Sequence, residues 1–221
     1  MHPSDCKLLI FDWDGTLANS IGRIVESMHV ASDRTGFARC DDFAVKGIIG
    51  LGLPEAIRSL YPEIGDDELV VFRQHYADHY IALEAEPSPL FDGVVNTLEV
   101  LRAEGYHLAV ATGKARRGLD RVLKSHGWDD YFDITRAADE TASKPHPLML
   151  EQILAHCEMR PEQALMVGDS SFDLQMARNA GMGSVAVSYG AQSIEALRAF
   201  EPRLAIDHFP ELHAWLSRRT D

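Results

Sequence analysis

Apolar residues in this chain gather in short runs, and between the runs lie stretches of helical spacing that close on a glycine. Lys7-Leu8-Leu9-Ile10-Phe11 leads straight into Asp12 and predicts a buried strand. From Val94 to Glu104, the positions Val94, Val95, Leu98 and Leu101 fall on one side of a helix that Gly105 stops. Glycine is favoured there because it takes the left-handed conformation without a Cβ clash. Tyr106–Ala111 predicts the next strand. The alternation continues with a helix over Leu119–His126 closed by Gly127, a short strand over Tyr131–Thr135, and a helix over Pro147–Cys157. Ala164–Val167 predicts a strand, Phe172–Ala180 a helix closed by Gly181, and Ser184–Val187 and Arg203–Ile206 two further strands. Strands alternating with helices at this spacing imply a doubly wound α/β core, a parallel sheet covered on both faces.

One stretch breaks the alternation. From about Ile21 to Ala85 the periodicity is helical throughout, with Ile21, Ile24, Val25 and Met28 on one helix and Val70, Val71, Phe72, Tyr76, Tyr80 and Ile81 on another. It begins just after the first strand and ends at Glu86-Pro87-Ser88-Pro89, a stiff connector. The division this predicts is a core of residues 1–17 and 88–221 with an α-helical cap, residues 18–87, inserted after the first strand. Within the cap, Lys46 to Pro54 holds Gly47, Gly50 and Gly52 ahead of a proline suited to a helix start. Such a loop can approach another surface closely, and an ordinary interhelical turn is the equal alternative.

The chain has 221 residues, enough for one α/β domain with a small insertion. Its 46% hydrophobic and 25% charged residues are the balance of a globular protein. No apolar run reaches the ~18 residues of a membrane span, and Met1-His2-Pro3-Ser4-Asp5 carries no secretory pattern. Cys6, Cys40 and Cys157 are far apart and odd in number, which fits reduced thiols in the cytoplasm better than a zinc knuckle or a disulfide framework. The net charge of -13 argues against nucleic acid as a partner. It also means that an anionic substrate needs a local positive centre: a metal, a lysine or helix N-termini.

In a parallel α/β sheet, ligands bind beyond the carboxyl ends of the strands. Asp12 and Asp14 follow the first strand, Thr112-Gly113-Lys114 ends the second, and Gly168-Asp169 ends a later one, while Lys144 lies in a loop before a helix. All fall on the same predicted edge. A carboxylate such as Asp12 can attack phosphorus and form an aspartyl-phosphate, provided the mutual repulsion of anions is relieved. A hard cation such as Mg²⁺ relieves it, with Asp12 and Asp169 as natural ligands. Lys144 adds positive charge for the transferring oxygens, and the Thr112 hydroxyl with backbone N–H groups around Gly113 can cradle them. Asp14 suits a general acid that protonates the leaving oxygen and then activates water. Gly15 permits the sharp turn that exposes both aspartates.

Phe11-Asp12-Trp13-Asp14-Gly15-Thr16-Leu17 resembles the DxDGT signature of haloacid dehalogenase-type phosphatases. Ala111-Thr112-Gly113-Lys114 is similar to their second motif, Ser143-Lys144-Pro145 to the third, and Gly168-Asp169-Ser170-Ser171-Phe172-Asp173 to the fourth. The four occur in order across essentially the whole chain, and the helical insert sits where the first cap type of that superfamily sits. Phosphoglycolate phosphatase-like members are the most similar. The resemblance implies Asp12 as nucleophile, Asp14 as acid/base, and Thr112 and Lys144 as phosphate ligands. It implies a metal held by Asp12, Asp169 and the Asp14 carbonyl, with Asp173 orienting a metal water or Lys144. The substrate implied is a small phosphorylated molecule, phosphoglycolate first. Trp13 stands where an apolar residue is common, and its side chain is expected to point away from the site.

Other candidates are weaker. His75 and His79 have ligand spacing on a helix but no third ligand, and fit a solvated face. His146 neighbours Lys144, and Arg116 and Arg117 lie close enough behind the second motif to touch substrate. Three rival activities share parts of the pattern. A haloacid dehalogenase has no use for Asp14, a phosphosugar mutase differs only in its product, and a receiver-type signalling module lacks a cap after its first strand.

Overall fold

The computed structural model describes residues 5–218. Residues 1–4 and 219–221, which the predicted division assigns to the core, lie outside the described residues, as does most of the N-terminal segment used in the secretory reading. The first strand, β1 (Leu8–Phe11), is followed by four consecutive helices, α1 (Ile21–Thr35), α2 (Asp42–Gly47), α3 (Leu53–Leu60) and α4 (Asp66–Leu83). Thereafter helix and strand alternate: α5 (Val94–Ala103), β2 (His107–Thr112), α6 (Arg116–Ser125), β3 (Ile134–Ala137), α7 (Leu148–His156), β4 (Ala164–Gly168), α8 (Ser171–Asn179) and β5 (Gly183–Val187). The chain closes through α9 (Ile194–Arg198), β6 (Leu204–Ile206) and α10 (Glu211–Leu216).

The six strands form one parallel sheet in the order β3-β2-β1-β4-β5-β6. Successive residues of β1 are fully buried on alternate faces. Leu9 and Phe11 join a cluster with Leu98, Val110 and Val167, whereas Leu8 and Ile10 join one with Ala109, Met149 and Met166. Burial on both faces explains why β1 reads as an unbroken apolar run rather than an alternating one. Chain order reverses between β1 and β4, so a crevice opens at the carboxyl ends of these two strands. Register then decides which side chains meet there. Phe11 lies level with both Val110 and Val167, and the Asp12 amide donates to the Val167 carbonyl at 3.0 Å. Asp12, Thr112 and Asp169 therefore emerge within a residue or two of one another along the sheet.

Helices α1–α4 bury a cluster of their own, with Met28, Ile57 and Phe72 at its centre and Phe37 and Tyr61 packed on Phe72. The two connectors to the sheet pair with each other. Ala18 and Leu90 form an antiparallel bridge, the Asn19 amide donates to the Pro89 carbonyl at 2.8 Å, and the Phe91 amide donates to the Leu17 carbonyl at 3.0 Å. The glycine-rich loop lies directly on the core. The Gly52 amide donates to Ser143 Oγ at 2.8 Å, and Gly50, at φ +110°, approaches Ser170. Gly113 faces the loop backbone, where a Cβ would sit 2.5 Å from the Leu51 carbonyl oxygen.

Two sequence expectations shift. The strand expected over Tyr131–Thr135 is Ile134–Ala137, because Tyr131 and Phe132 pack around Trp128 instead of extending. Helix α6 begins at Arg116, three residues early, where the Asp139 carboxylate accepts from the Arg116 amide. The insert holds two short helices besides the two whose faces the sequence showed, and α3 carries the proline after the glycine-rich loop in its first turn. Among the described residues, no helix is long and apolar enough to cross a membrane.

The tight contact at Gly113 yields a prediction. Gly113→Ala should push the loop at residues 50–52 off the core at a cost of about 1–3 kcal/mol. Amide hydrogen exchange through residues 48–54 should speed up while exchange in β1 and β4 stays as it was. Unchanged exchange in the loop would contradict the contact.

Candidate active site

Asp12 is the first residue beyond β1, and its turn is shaped by two close approaches. Gly15 adopts φ +79°, and a Cβ there would come within 2.1 Å of Asp169 Oδ2. Glycine is thus needed for conformation and for space. Trp13 is turned into the core, where its ring meets Trp128 edge-on at 6.1 Å, so the side chains of Asp12 and Asp14 are left on the site's side.

At the centre is Lys144, 1% exposed, its ammonium 2.6 Å from Asp12 Oδ1 and 2.6 Å from Asp173 Oδ1. The other Asp173 oxygen accepts from the Ser170 hydroxyl at 2.6 Å, and Ser170 caps α8. Asp173 is consequently both a first-turn carboxylate of α8 and the group that holds Lys144. Asp169 is also buried; its Oδ2 accepts from the Ala191 amide at 2.7 Å, and its Oδ1 from the Thr16 hydroxyl at 3.3 Å. Oxygens of Asp12, Asp169 and Asp173 lie within 4.8 Å of one another, and among the described residues no other group of three His, Cys, Asp or Glu side chains does so.

Three buried carboxylates around one lysine leave surplus negative charge. Burial pushes the Asp12 carboxyl up to about 7; Lys144 opposes this, while Asp173 and Asp14 reinforce it. Asp169 is held well above the usual carboxylate range by burial and by the charges of Asp12 and Asp173. Burial works against the Lys144 ammonium, yet Asp12 and Asp173 outweigh it and hold the lysine protonated. Asp12 Oδ2 is buried with no hydrogen-bond partner. An orphaned carboxylate oxygen in an over-anionic pocket fits a bound cation, and the all-oxygen donor set suits a hard divalent one.

Asp14 turns the other way. Its Oδ1 accepts from the Ser20 hydroxyl at 2.5 Å and lies 3.1 Å from the Lys114 ammonium. Lys114 also donates to the Tyr80 hydroxyl of α4 at 3.0 Å and lies over that ring, so this contact ties sheet edge to insert. Thr112 is fully buried, and its Oγ accepts from the Lys114 amide at 3.2 Å; it does not cap α6, which starts after Ala115. Gly113 sits beneath the glycine-rich loop. Asp12, Asp14, Thr112, Gly113, Lys144, Asp169 and Asp173 are thus gathered at one crevice, divided into a Lys144 side and a Lys114 side.

Three of the other candidates make contacts elsewhere. His79 pairs with Glu26 at 2.9 Å, His146 Nδ1 accepts from the Leu148 amide at 3.2 Å at the start of α7, and Arg116 is bound by Asp120, Thr135 and Glu140. Arg117 lines the crevice between insert and core. Sequence reasoning placed Lys114 on the right edge but assigned it no partner, and missed Ser20 and Thr16. Lys114 had a signal, two positions past Thr112. Ser20 had none, because its role depends on how the chain leaves the sheet.

The Asp12 shift has a consequence for stability. In the folded protein Asp12 keeps its proton up to about pH 7, whereas the unfolded chain gives it up near the ordinary value of 3.8. Between those limits the folded state binds the extra proton, so this residue's contribution to stability falls as pH rises. In chelator, Asp12→Asn should gain stability relative to the parent protein between about pH 5 and about pH 8, read from urea midpoints. Parallel curves would refute the shift.

Comparison with known proteins agrees with this geometry. A family model described as haloacid dehalogenase-like hydrolase matches residues 9–187. The chain is 35% identical over 209 residues to a Dickeya dadantii protein named "Probable phosphatase IndB", covering 93% of this chain and 91% of that one. It is 30% identical over 220 residues to the phosphoglycolate phosphatase of Vibrio vulnificus, covering 96% of each. A solved haloacid dehalogenase-like family hydrolase from Streptococcus pneumoniae superposes with a TM-score of 0.83 at 25% identity, over 96% of this chain and 99% of that one. With the family model spanning most of the chain and these relatives aligned nearly end to end, the protein belongs to the haloacid dehalogenase-like hydrolases.

Proposed function

We propose that this protein hydrolyses a small-molecule phosphate monoester through an aspartyl-phosphate on Asp12, with Mg²⁺ as cofactor and residues 18–87 acting as a cap. The observation that carries the reading is the Asp12 carboxylate, gripped by Lys144 through one oxygen and left without a partner at the other. Asp12, Asp169 and the main-chain carbonyl of Asp14 would hold the cation, which supplies positive charge against the repulsion between carboxylate and phosphate dianion.

The chain's own groups account for the remaining steps. An Asp12 oxygen bonds to phosphorus as the bond to the leaving oxygen breaks, and Asp14 gives its proton to that oxygen. Lys144 offsets charge on the transferring oxygens, while the Thr112 hydroxyl and the Gly113 amide orient them. Asp14 then takes a proton from water, whose oxygen bonds to phosphorus and releases Asp12. Asp173 reaches the reaction only through Lys144, which it holds in position. The paired connectors at Ala18 and Leu90 let the cap close over the crevice and exclude water during attack. Free thiols at Cys6, Cys40 and Cys157 fit a cytoplasmic setting. Phosphoglycolate, named by the Vibrio vulnificus relative, is the first substrate to assay. Asp14, placed where a proton donor is needed, favours phosphate transfer over dehalogenation.

Two experiments test this reading. Phosphate release from a panel of esters should stop in chelator and return with Mg²⁺, and Asp12→Asn should abolish it while circular dichroism and melting stay native-like. Turnover by the Asp12→Asn variant would remove Asp12 as nucleophile. Lys114→Met should lower kcat by on the order of tenfold, because it removes the cation that holds Asp14; an unchanged kcat would show that Asp14 is set by Ser20 alone.

A further inference from the structure

The crevice above Asp12 and Asp14 is larger than phosphate transfer requires. It encloses about 440 Å³ between insert and core. That falls in the range of about 300–1,000 Å³ typical of sites for drug-sized ligands, and would hold on the order of fifteen waters at liquid density. The phosphoryl group must sit at the floor, next to Asp12, so the rest of the space belongs to whatever leaves. A two-carbon acid or a second phosphate would displace only a few of those waters.

Much of its wall is apolar. Ile24 and Met28 of α1 and Ile49 of the glycine-rich loop line it, together with Tyr76, Tyr80 and Ile81 of α4. Tyr76 and Tyr80 stack on each other at 5.8 Å with 15° between their planes, and Ile24 and Ile49 pack with them, so these groups form one apolar wall. Charged groups line the crevice as well. Lys114 is committed to Asp14 and Tyr80, and Arg121 to Glu84. Arg73 and Arg117 also line the cavity, as do the carboxylates Glu55 and Asp139, so the lining charge is mixed and favours no second anion.

Building on the phosphatase reading above, we infer that the leaving group is a ring-bearing alcohol of nucleoside or arylmethyl size, whose ring lies against the apolar wall built by α1, α4 and the glycine-rich loop. Glycolate and inorganic phosphate leave these walls wet. A ring covers them, and burial of apolar surface then contributes to binding in the transition state as well as in the ground state.

The test is a ranking of kcat/KM, with Mg²⁺, for phosphoglycolate, pyrophosphate, uridine 5′-monophosphate and benzyl phosphate. Benzyl phosphate and the nucleotide both lose an alkoxide-type oxygen, as phosphoglycolate does, so among these three esters the order reads the crevice rather than leaving-group reactivity. At least one ring-bearing ester should exceed phosphoglycolate and pyrophosphate by about tenfold or more. Which of the two leads separates a nucleoside from a simple aromatic source. Ala77→Trp, which fills the crevice from α4, should shift the ratio of ring-bearing to phosphoglycolate turnover about tenfold towards phosphoglycolate. If that variant fails to fold, Ile81→Trp, at a 43% exposed position on the same wall, makes the same change. Preference for phosphoglycolate or pyrophosphate, or a ratio indifferent to both tryptophans, overturns the inference and leaves the phosphatase reading standing. No release from any of the four refutes that reading, and the inference falls with it.

Discussion

Everything at this site is arranged around an ammonium that has no access to water. Lys144 sits between Asp12 and Asp173 at 2.6 Å from each, and the three residues come from a strand end, a loop and the first turn of a helix. A buried ion pair is expensive to desolvate, and losing one partner leaves an uncompensated charge. The loop before α7, the end of β1 and the start of α8 are therefore locked to one another. Such a triad adds little to net stability, but it penalises any register of the sheet that does not bring these residues together. Even so, the neutralisation is incomplete, because Asp169 adds a further carboxylate to a pocket that already holds two. Burial, reinforced by the charges of Asp173 and Asp14, raises the proton affinity of Asp12 against the pull of Lys144.

The second lysine divides the labour. Lys114 engages Asp14 on the side that faces the insert, and its other contact is Tyr80 of α4. Asp14 is consequently linked to the position of the helices above it, whereas Asp12 is held through Lys144 by the core. The insert also touches the neighbours of the Lys144 triad, at Ser143 and Ser170.

Much of this was legible in the sequence because it is local. Asp12 and Asp169 each come directly after an apolar run, and glycines mark the helix ends, so the common edge of the sheet could be read without coordinates. What could not be read depends on packing over distance. The β3 boundary moved because Tyr131 and Phe132 found Trp128, a preference that periodicity does not encode. The short helix α2 offers too few turns to show a face. Ser20 is an ordinary serine until the connector brings it to Asp14. The size of the crevice was equally hidden, since it results from how two separately built apolar clusters are spaced.

The insert meets the core at Gly113 through main chain, with carbonyls of Gly50 and Leu51 where a side chain would otherwise stand. A contact made of backbone atoms is indifferent to which side chains the neighbouring positions carry. Side chains of α1 and α4 that make no contact with the core, unlike Tyr80, can therefore vary without changing this seating. At this point the fit of insert to core is written in the peptide, and the side chains around it can be revised without touching it.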